Sequence, residues 1–219
     1  MNKILKESIL WILMALPYVY LAFIWKQLPD EIPTQFNLQG EATGWSGKII
    51  MLILPAVLGI GVYLLMLVVP KLDPKKRLQE MDGKYYSLRF IMTAFISSLT
   101  LYIIYASHTG SLTNMNILIA LIGVMLAVLG NYFQTIRPNY FLAIRTPWTL
   151  ESELVWRKTH LLGGRLWIVG GLLIAALSFL DLSNITLAIN AGSVLFVMTV
   201  IPILYSYQEF QKEKKTIQH

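Results

Sequence analysis

The sequence predicts an all-α integral membrane protein with six transmembrane helices, both termini cytoplasmic, and a short interfacial amphipathic helix in the loop between spans four and five. Three observations lead there. Hydrophobic residues make up 56% of the 219 positions and charged residues only 14%, a balance too apolar for an ordinary soluble domain. Six apolar runs approach the ~20 residues a helix needs to cross a bilayer. Sixteen of the 18 Lys and Arg fall in alternate segments flanking those runs, and only Lys26 and Lys48 fall in the others. Positive charge on alternate loops is how a polytopic chain marks its cytoplasmic side.

The spans are read at 8–28, 49–69, 90–106, 116–133, 166–180 and 185–207. The first follows Lys3 and Lys6, contains Pro17 and lacks a small-x-small cleavage site, so a retained signal anchor is expected. The second closes at Pro70. The fifth is short, and Leu161 and Leu162 can lengthen it across Gly163 and Gly164. Small residues recur at helical spacing in span four (Ala120, Gly123, Ala127, Gly130) and span five (Gly164, Gly171, Ala175, Ser178). Such stripes let helices approach closely in lipid; packing within the bundle and a homodimer face both fit them. The chain divides into an N-terminal two-span hairpin (1–70), a central one (71–135), and a motif-bearing loop with a C-terminal two-span hairpin (136–219).

Several functions are disfavoured. Without Cys there are no disulfides or thiolate sites. The three His lack metal-ligand spacing. Asp30 and Glu31 are adjacent, and Glu151 and Glu153 are two apart on a helix, so neither pair suits acid–base work. No enzyme activity, cofactor or metal is expected. The net charge of +6 sits beside apolar runs, so it marks topology and anionic-lipid contact, not direct nucleic acid binding. No Asp, Glu, Lys, Arg or His lies deep in a span, which weighs against ion-coupled transport. Asn190 is read as an interhelical hydrogen-bonding residue.

Two loops carry the remaining signal. The outward one, 28–48, holds Pro29 and Pro33, which force extended or turn geometry, turn glycines at 40, 44 and 47, and the interface aromatics Phe36 and Trp45. It is either a structured connector or a recognition surface for a cationic or amphipathic peptide, with Glu31, Phe36, Asn37 and Trp45 as candidate ligand-binding residues. The inward one, 131–171, is turn-rich around Pro138. A short helix is then expected from Thr149, which can cap it, with Glu151 and Glu153 in its first turn, Lys158 and His160 in its last, and a stop or kink at Gly163. Its basic residues suit either lipid phosphates or a cytoplasmic partner.

The inward run Arg137-Pro138-Asn139-Tyr140-Phe141, Ile144-Arg145-Thr146-Pro147-Trp148-Thr149-Leu150 and Val155-Trp156-Arg157-Lys158-Thr159-His160, closing on Gly163-Gly164, resembles the SdpI-type immunity family. These are membrane proteins that protect a bacterium from its own sporulation-delay peptide toxin. The outward LPxxIPTxF element, followed by Gly, Gly-Trp and Lys, is similar to an extracytoplasmic element common in the same family. It departs at Gln35 and Thr43, where His and Asp are frequent, so no role of those side chains carries over. The resemblance implies a multi-pass protein of the bacterial cytoplasmic membrane that confers immunity to a secreted peptide toxin on the outer face. It also implies signalling through a cytosolic winged-helix repressor of the ArsR class, held at the membrane by motif residues: Arg137, Asn139, Tyr140, Arg145, Trp148, Arg157, Lys158 and His160. Export of a peptide or small amphiphile is the alternative.

Overall fold

The computed structural model describes residues 3–37, 41–73, 76–109, 115–180 and 182–217; the turn expected at Gly40 lies outside them. Helix α1 spans Lys3–Ile24. Strands β1 (Glu31–Phe36) and β2 (Ala42–Gly47) follow, then α2 (Ile50–Pro55), a π-helical turn at Ala56–Ile60 and α3 (Gly61–Leu72). The rest is helical: α4 (Arg77–Glu80), α5 (Asp82–Thr109), α6 (Met115–Phe133), α7 (Pro147–Glu151), α8 (Glu153–Leu177) and α9 (Asn184–Ile217). Among the described residues six helical stretches are long and apolar enough to cross a membrane: Ile4–Ile24, Ile50–Leu72, Gly83–Thr109, Asn116–Phe133, Glu153–Leu177 and Asn184–Thr216. The protein is therefore a multi-pass membrane protein. Several helices outrun their apolar cores, because a helix continues through the headgroup region as long as its backbone stays bonded. Residues such as Glu7, Arg89, His160 and Glu209 thus lie on the spanning helices, toward their ends.

Contacts gather in two compact units. The first comprises 1–68 and 86–121, the second 69–85 and 122–219. In the first, Leu21, Ile24, Leu28, Ile32, Met51 and Ile104 form a core cluster. Ile32 is fully buried there, and its strand is thereby pinned to α1, α2 and α5. A second cluster joins Leu10, Met14 and Tyr63. Arg89 donates to Glu7 at 2.6 Å, Tyr63 donates to the same carboxylate oxygen at 2.7 Å, and the Arg89 guanidinium lies 5.0 Å from the Tyr63 ring. The outer surface is apolar: Phe23, Val57 and Leu65 are each more than half exposed, as suits a helix whose solvent is lipid.

Prolines inside helices leave carbonyls without their i+4 donor, and in lipid no water replaces it. Side chains from neighbouring helices do so instead. Pro17 deprives Leu13 O, and Ser97 Oγ of α5 donates to it at 2.5 Å. Pro202 deprives Met198 O, and Trp167 Nε1 of α8 donates to it at 3.2 Å. After Pro55 the helix widens into the π turn, the Ala56 amide bonds to Ile53 O, and Tyr18 Oη reaches Leu52 O at 3.4 Å.

In the second unit, α6 and α8 touch backbone to backbone. A Cβ on Gly123 would sit 2.6 Å from Ala175 N, one on Gly171 would sit 2.5 Å from Ala127 N, and one on Gly130 would sit 2.7 Å from Gly164 O. The two small-residue stripes thus face each other within one chain. Gly163 and Gly164 do not stop or kink α8, which runs unbroken from Glu153 to Leu177; their missing side chains admit Ile144, Pro202 and Gln134 instead. Helix α8 packs along α9 as well.

Candidate functional site

The segment 28–48, expected to face outward, is a β-hairpin, the extended geometry its prolines favour. Its register pairs Glu31 with Gly47, Pro33 with Trp45 and Phe36 with Ala42, with irregularities either side of Gln35. Lys48 closes the open end, through an ion pair to Asp30 at 2.7 Å and a backbone bond to Asp30 O at 2.9 Å. The ammonium beside Asp30, hydrogen-bonded to it, holds that carboxyl below its usual range. At the tip, Asn37 Nδ2 donates to Glu41 Oε2 at 2.8 Å and Glu41 N donates back to Asn37 Oδ1 at 2.9 Å. Asn37 is therefore taken up by the turn. Glu31 is exposed and Trp45 is 60% exposed; the register puts both on one face of the ribbon. Phe36 ends β1.

The motif from Arg137, expected to face inward, folds as a bracket over the ends of α8 and α9. Asn139 is buried: its Oδ1 accepts from the amides of Phe141 at 2.9 Å and Leu142 at 2.7 Å, and its Nδ2 donates to Arg137 O at 2.9 Å. That side chain makes the turn after Pro138. Arg145 bends back to donate to Tyr140 O at 2.5 Å, and Ala143 between them takes a positive φ of 74°. Helix α7 is capped by Thr146, not Thr149. Thr146 accepts from the Thr149 amide, Thr149 Oγ1 accepts from the Thr146 amide, and Pro147 occupies the first turn. Ser152 then caps α8. The separate helix expected from Thr149 is instead the first half of α8, because Ser152 starts a new helix and nothing at Gly163 ends it.

His160 is buried. Ile144 N donates to its Nε2 at 3.0 Å, so Nδ1–H donates to Trp156 O at 2.7 Å. Its ring stacks on Trp156 at 4.0 Å, and Trp156 Nε1 donates to Ile136 O at 3.0 Å. Trp148 Nε1 donates to Ser206 Oγ, and its ring meets Tyr207 edge-on at 5.3 Å. Lys158 Nζ pairs with Glu209 Oε2 at 2.6 Å, and Lys212 holds the other oxygen at 2.7 Å.

The eight predicted partner residues thus divide. Asn139 shapes the bracket's own turn, His160 and Trp148 hold the bracket to α8 and α9, and Lys158 ties α8 to α9. Arg145 and Arg157 are exposed, Tyr140 is 41% exposed, and Arg137 is exposed with only a long 3.6 Å contact to Glu80. Ser206 and Glu209, the α9 partners of Trp148 and Lys158, were missed by sequence reasoning; one lies at the end of span six and the other just past it, where nothing local marks them. Thr146 was legible, since Thr followed by Pro is a helix-start signal. Among the described residues no group of three His, Asp or Glu side chains could hold a metal ion.

Comparison with known proteins gives two family matches. Residues 135–206 match the SdpI/YfhL protein family, and residues 12–59 match a domain of unknown function, DUF1648. The first match covers the bracket and the helices that hold it; the second covers α1 and the hairpin. The chain is similar to the immunity protein SdpI of Bacillus subtilis (strain 168), with 29% identity over 94% of this chain and 97% of that protein. No solved structure matches.

Proposed function

We propose, from the match of residues 135–206 to the SdpI/YfhL protein family, that the chain is an immunity protein of the bacterial cytoplasmic membrane, protecting the cell from a secreted peptide toxin. The observation that carries this is similarity to an immunity protein along nearly the whole of both chains. The alternating basic residues support a topology with both termini in the cytoplasm. On that topology the hairpin faces outward, where a toxin arrives, and the bracket faces inward. The exposed Glu31 and Trp45 form the toxin-facing pair; an acidic residue beside an aromatic anchor suits a cationic or amphipathic peptide.

Expression of the chain in a toxin-sensitive strain should preserve membrane potential and viability when toxin is added. Glu31→Gln with Trp45→Ala should reduce that protection at unchanged membrane abundance. No protection by the parent chain against any toxin of this class would defeat the immunity reading. Reporter fusions at each terminus and at residue 42 test the topology.

The inner face is read as a docking site for a cytosolic winged-helix repressor of the ArsR class. Four partly or fully exposed side chains support it: Arg137, Tyr140, Arg145 and Arg157. Signalling requires that toxin bind one conformation of the protein better than another. Arg145→Gln with Arg157→Gln should leave protection intact and move a co-expressed repressor from the membrane to the soluble fraction. A repressor that stays soluble with the parent chain, toxin present, would end this reading.

A further inference from the structure

At the ends of α5 and α6 the second unit holds a cavity of about 320 Å³, lined by Glu80, Met81, Gly83, Lys84, Thr135 and Arg137. The membrane span of α5 is read from Phe90, so Gly83 and Lys84 sit on the helical turns before it, and α6 ends at Phe133. The cavity therefore lies where both spans leave the hydrocarbon, at headgroup level. Its charged lining is two cations and one carboxylate. Lys84 is exposed and, among the described residues, its ammonium makes no ion pair or hydrogen bond. Arg137 reaches Glu80 only at 3.6 Å, and both side chains are more than half exposed; so loose a pair is weakly held. A guanidinium meets a phosphate through two parallel hydrogen bonds, which outcompete a single long contact to a carboxylate. The first turn of the 28-residue α5 lines the cavity, and its positive end adds to the attraction for an anion. Gly83 leaves the wall open: a Cβ there meets nothing within 4 Å.

We propose that this cavity binds the phosphate of an anionic phospholipid headgroup, with Lys84 and Arg137 as its cationic ligands. Arg137 then leaves Glu80 for the phosphate, and the start of the inward bracket is fastened to the membrane surface through the lipid. This does not depend on the immunity reading, because it uses only the cavity and its charges.

The test uses the full chain, purified in mild detergent and mixed with phosphatidylglycerol or phosphatidylcholine, with native mass spectrometry counting retained lipid. One phosphatidylglycerol should be retained preferentially. Retention should fall about fivefold in Lys84→Gln, the effect of one basic side chain near an anionic surface, and persist in Lys84→Arg and in Lys71→Gln. Gly83→Met should block binding with both cations present; an unchanged melting temperature shows that it still folds. Excess inorganic phosphate distinguishes the sources. Displacement by phosphate assigns the site to phosphate in general, with lipid as one carrier, and resistance to it assigns the site to the lipid. Equal retention of phosphatidylcholine, or phosphatidylglycerol retention unaffected by both Lys84→Gln and Gly83→Met, overturns the proposal.

Discussion

Pro17 and Ser97 form a pair whose energetics can be worked out from geometry. Pro17 has no amide hydrogen, so Leu13 O lacks its helical donor, and Ser97 Oγ supplies one at 2.5 Å from a side chain only 5% exposed. Ser97→Ala removes one oxygen and strands that carbonyl. Leaving a buried acceptor unmade costs about 1–3 kcal/mol in general, while interhelical hydrogen bonds in membranes average ~0.6 and reach ~1.7 kcal/mol. Pro17 denies the carbonyl its i+4 donor, so the upper part of the membrane range applies, about 1–1.5 kcal/mol. In a Pro17→Ala background the residue 17 amide can bond to Leu13 O, and Ser97→Ala should then cost less than about 0.5 kcal/mol, the scatter of independent sites. The four proteins, unfolded reversibly in mixed micelles, give the coupling directly, at about 1 kcal/mol. Additive behaviour would refute the reasoning, since it would mean that Ser97 contributes through packing alone. Trp167 and Pro202 provide the same arrangement around Met198 O and repeat the test in the second unit.

Four further outcomes follow from the same structure. Gly171→Ala places a Cβ 2.5 Å from backbone atoms of α6, which should cost about 1–3 kcal/mol. Gly192→Ala meets open space and should be neutral or slightly stabilising by melting temperature. Asn139→Ala strips the acceptor from two amides and should destabilise the bracket by about 1–3 kcal/mol, read as faster proteolysis between 137 and 146 with the spans intact. Because Lys48 lowers the Asp30 carboxyl in the folded hairpin, their ion pair contributes fully above the unfolded carboxylate pKa of about 3.9 and is lost as pH falls through the lower folded value. The protection factor of the Lys48 amide, taken against its intrinsic exchange rate at each pH, should therefore fall in acid, and Asp30→Asn should abolish that fall.

The spans were legible because hydropathy and charge report the solvent each segment meets, and lipid is unlike water. The hairpin was half legible. Pro33 and the glycines excluded helix, but pairing Glu31 with Gly47 is a contact between segments, which no local pattern specifies. Gly163 and Gly164 misled because Gly ends helices in water by exposing backbone, whereas in a bundle it admits a neighbouring helix. Thr149 was mistaken for the cap because it has the right chemistry three residues late; Thr146 holds the position, and Thr149 answers it from the third residue of the helix.

The density of polar and aromatic side chains in the run from Arg137 to His160 invites a reading in which every polar residue binds a partner. The hydrogen bonds argue otherwise for half of them. Asn139, Trp148, Lys158 and His160 each have their polar atoms met from within the chain, by backbone amides or carbonyls, Ser206 or Glu209. A buried group that already has partners gains little by binding elsewhere, because it must first give them up. Their replacement tests whether the bracket holds. Arg145 and Arg157 are exposed, Arg145 with one guanidinium N–H held on Tyr140 O, and only a rigid base keeps two such groups at a fixed separation for a partner to read. The two sets should therefore separate by experiment. Changes in the first set lower stability and partner binding together, whereas changes in the second lower binding at constant stability. A His160→Ala protein that melts like the parent yet fails to recruit the repressor would place His160 in the contact surface and reverse its assignment.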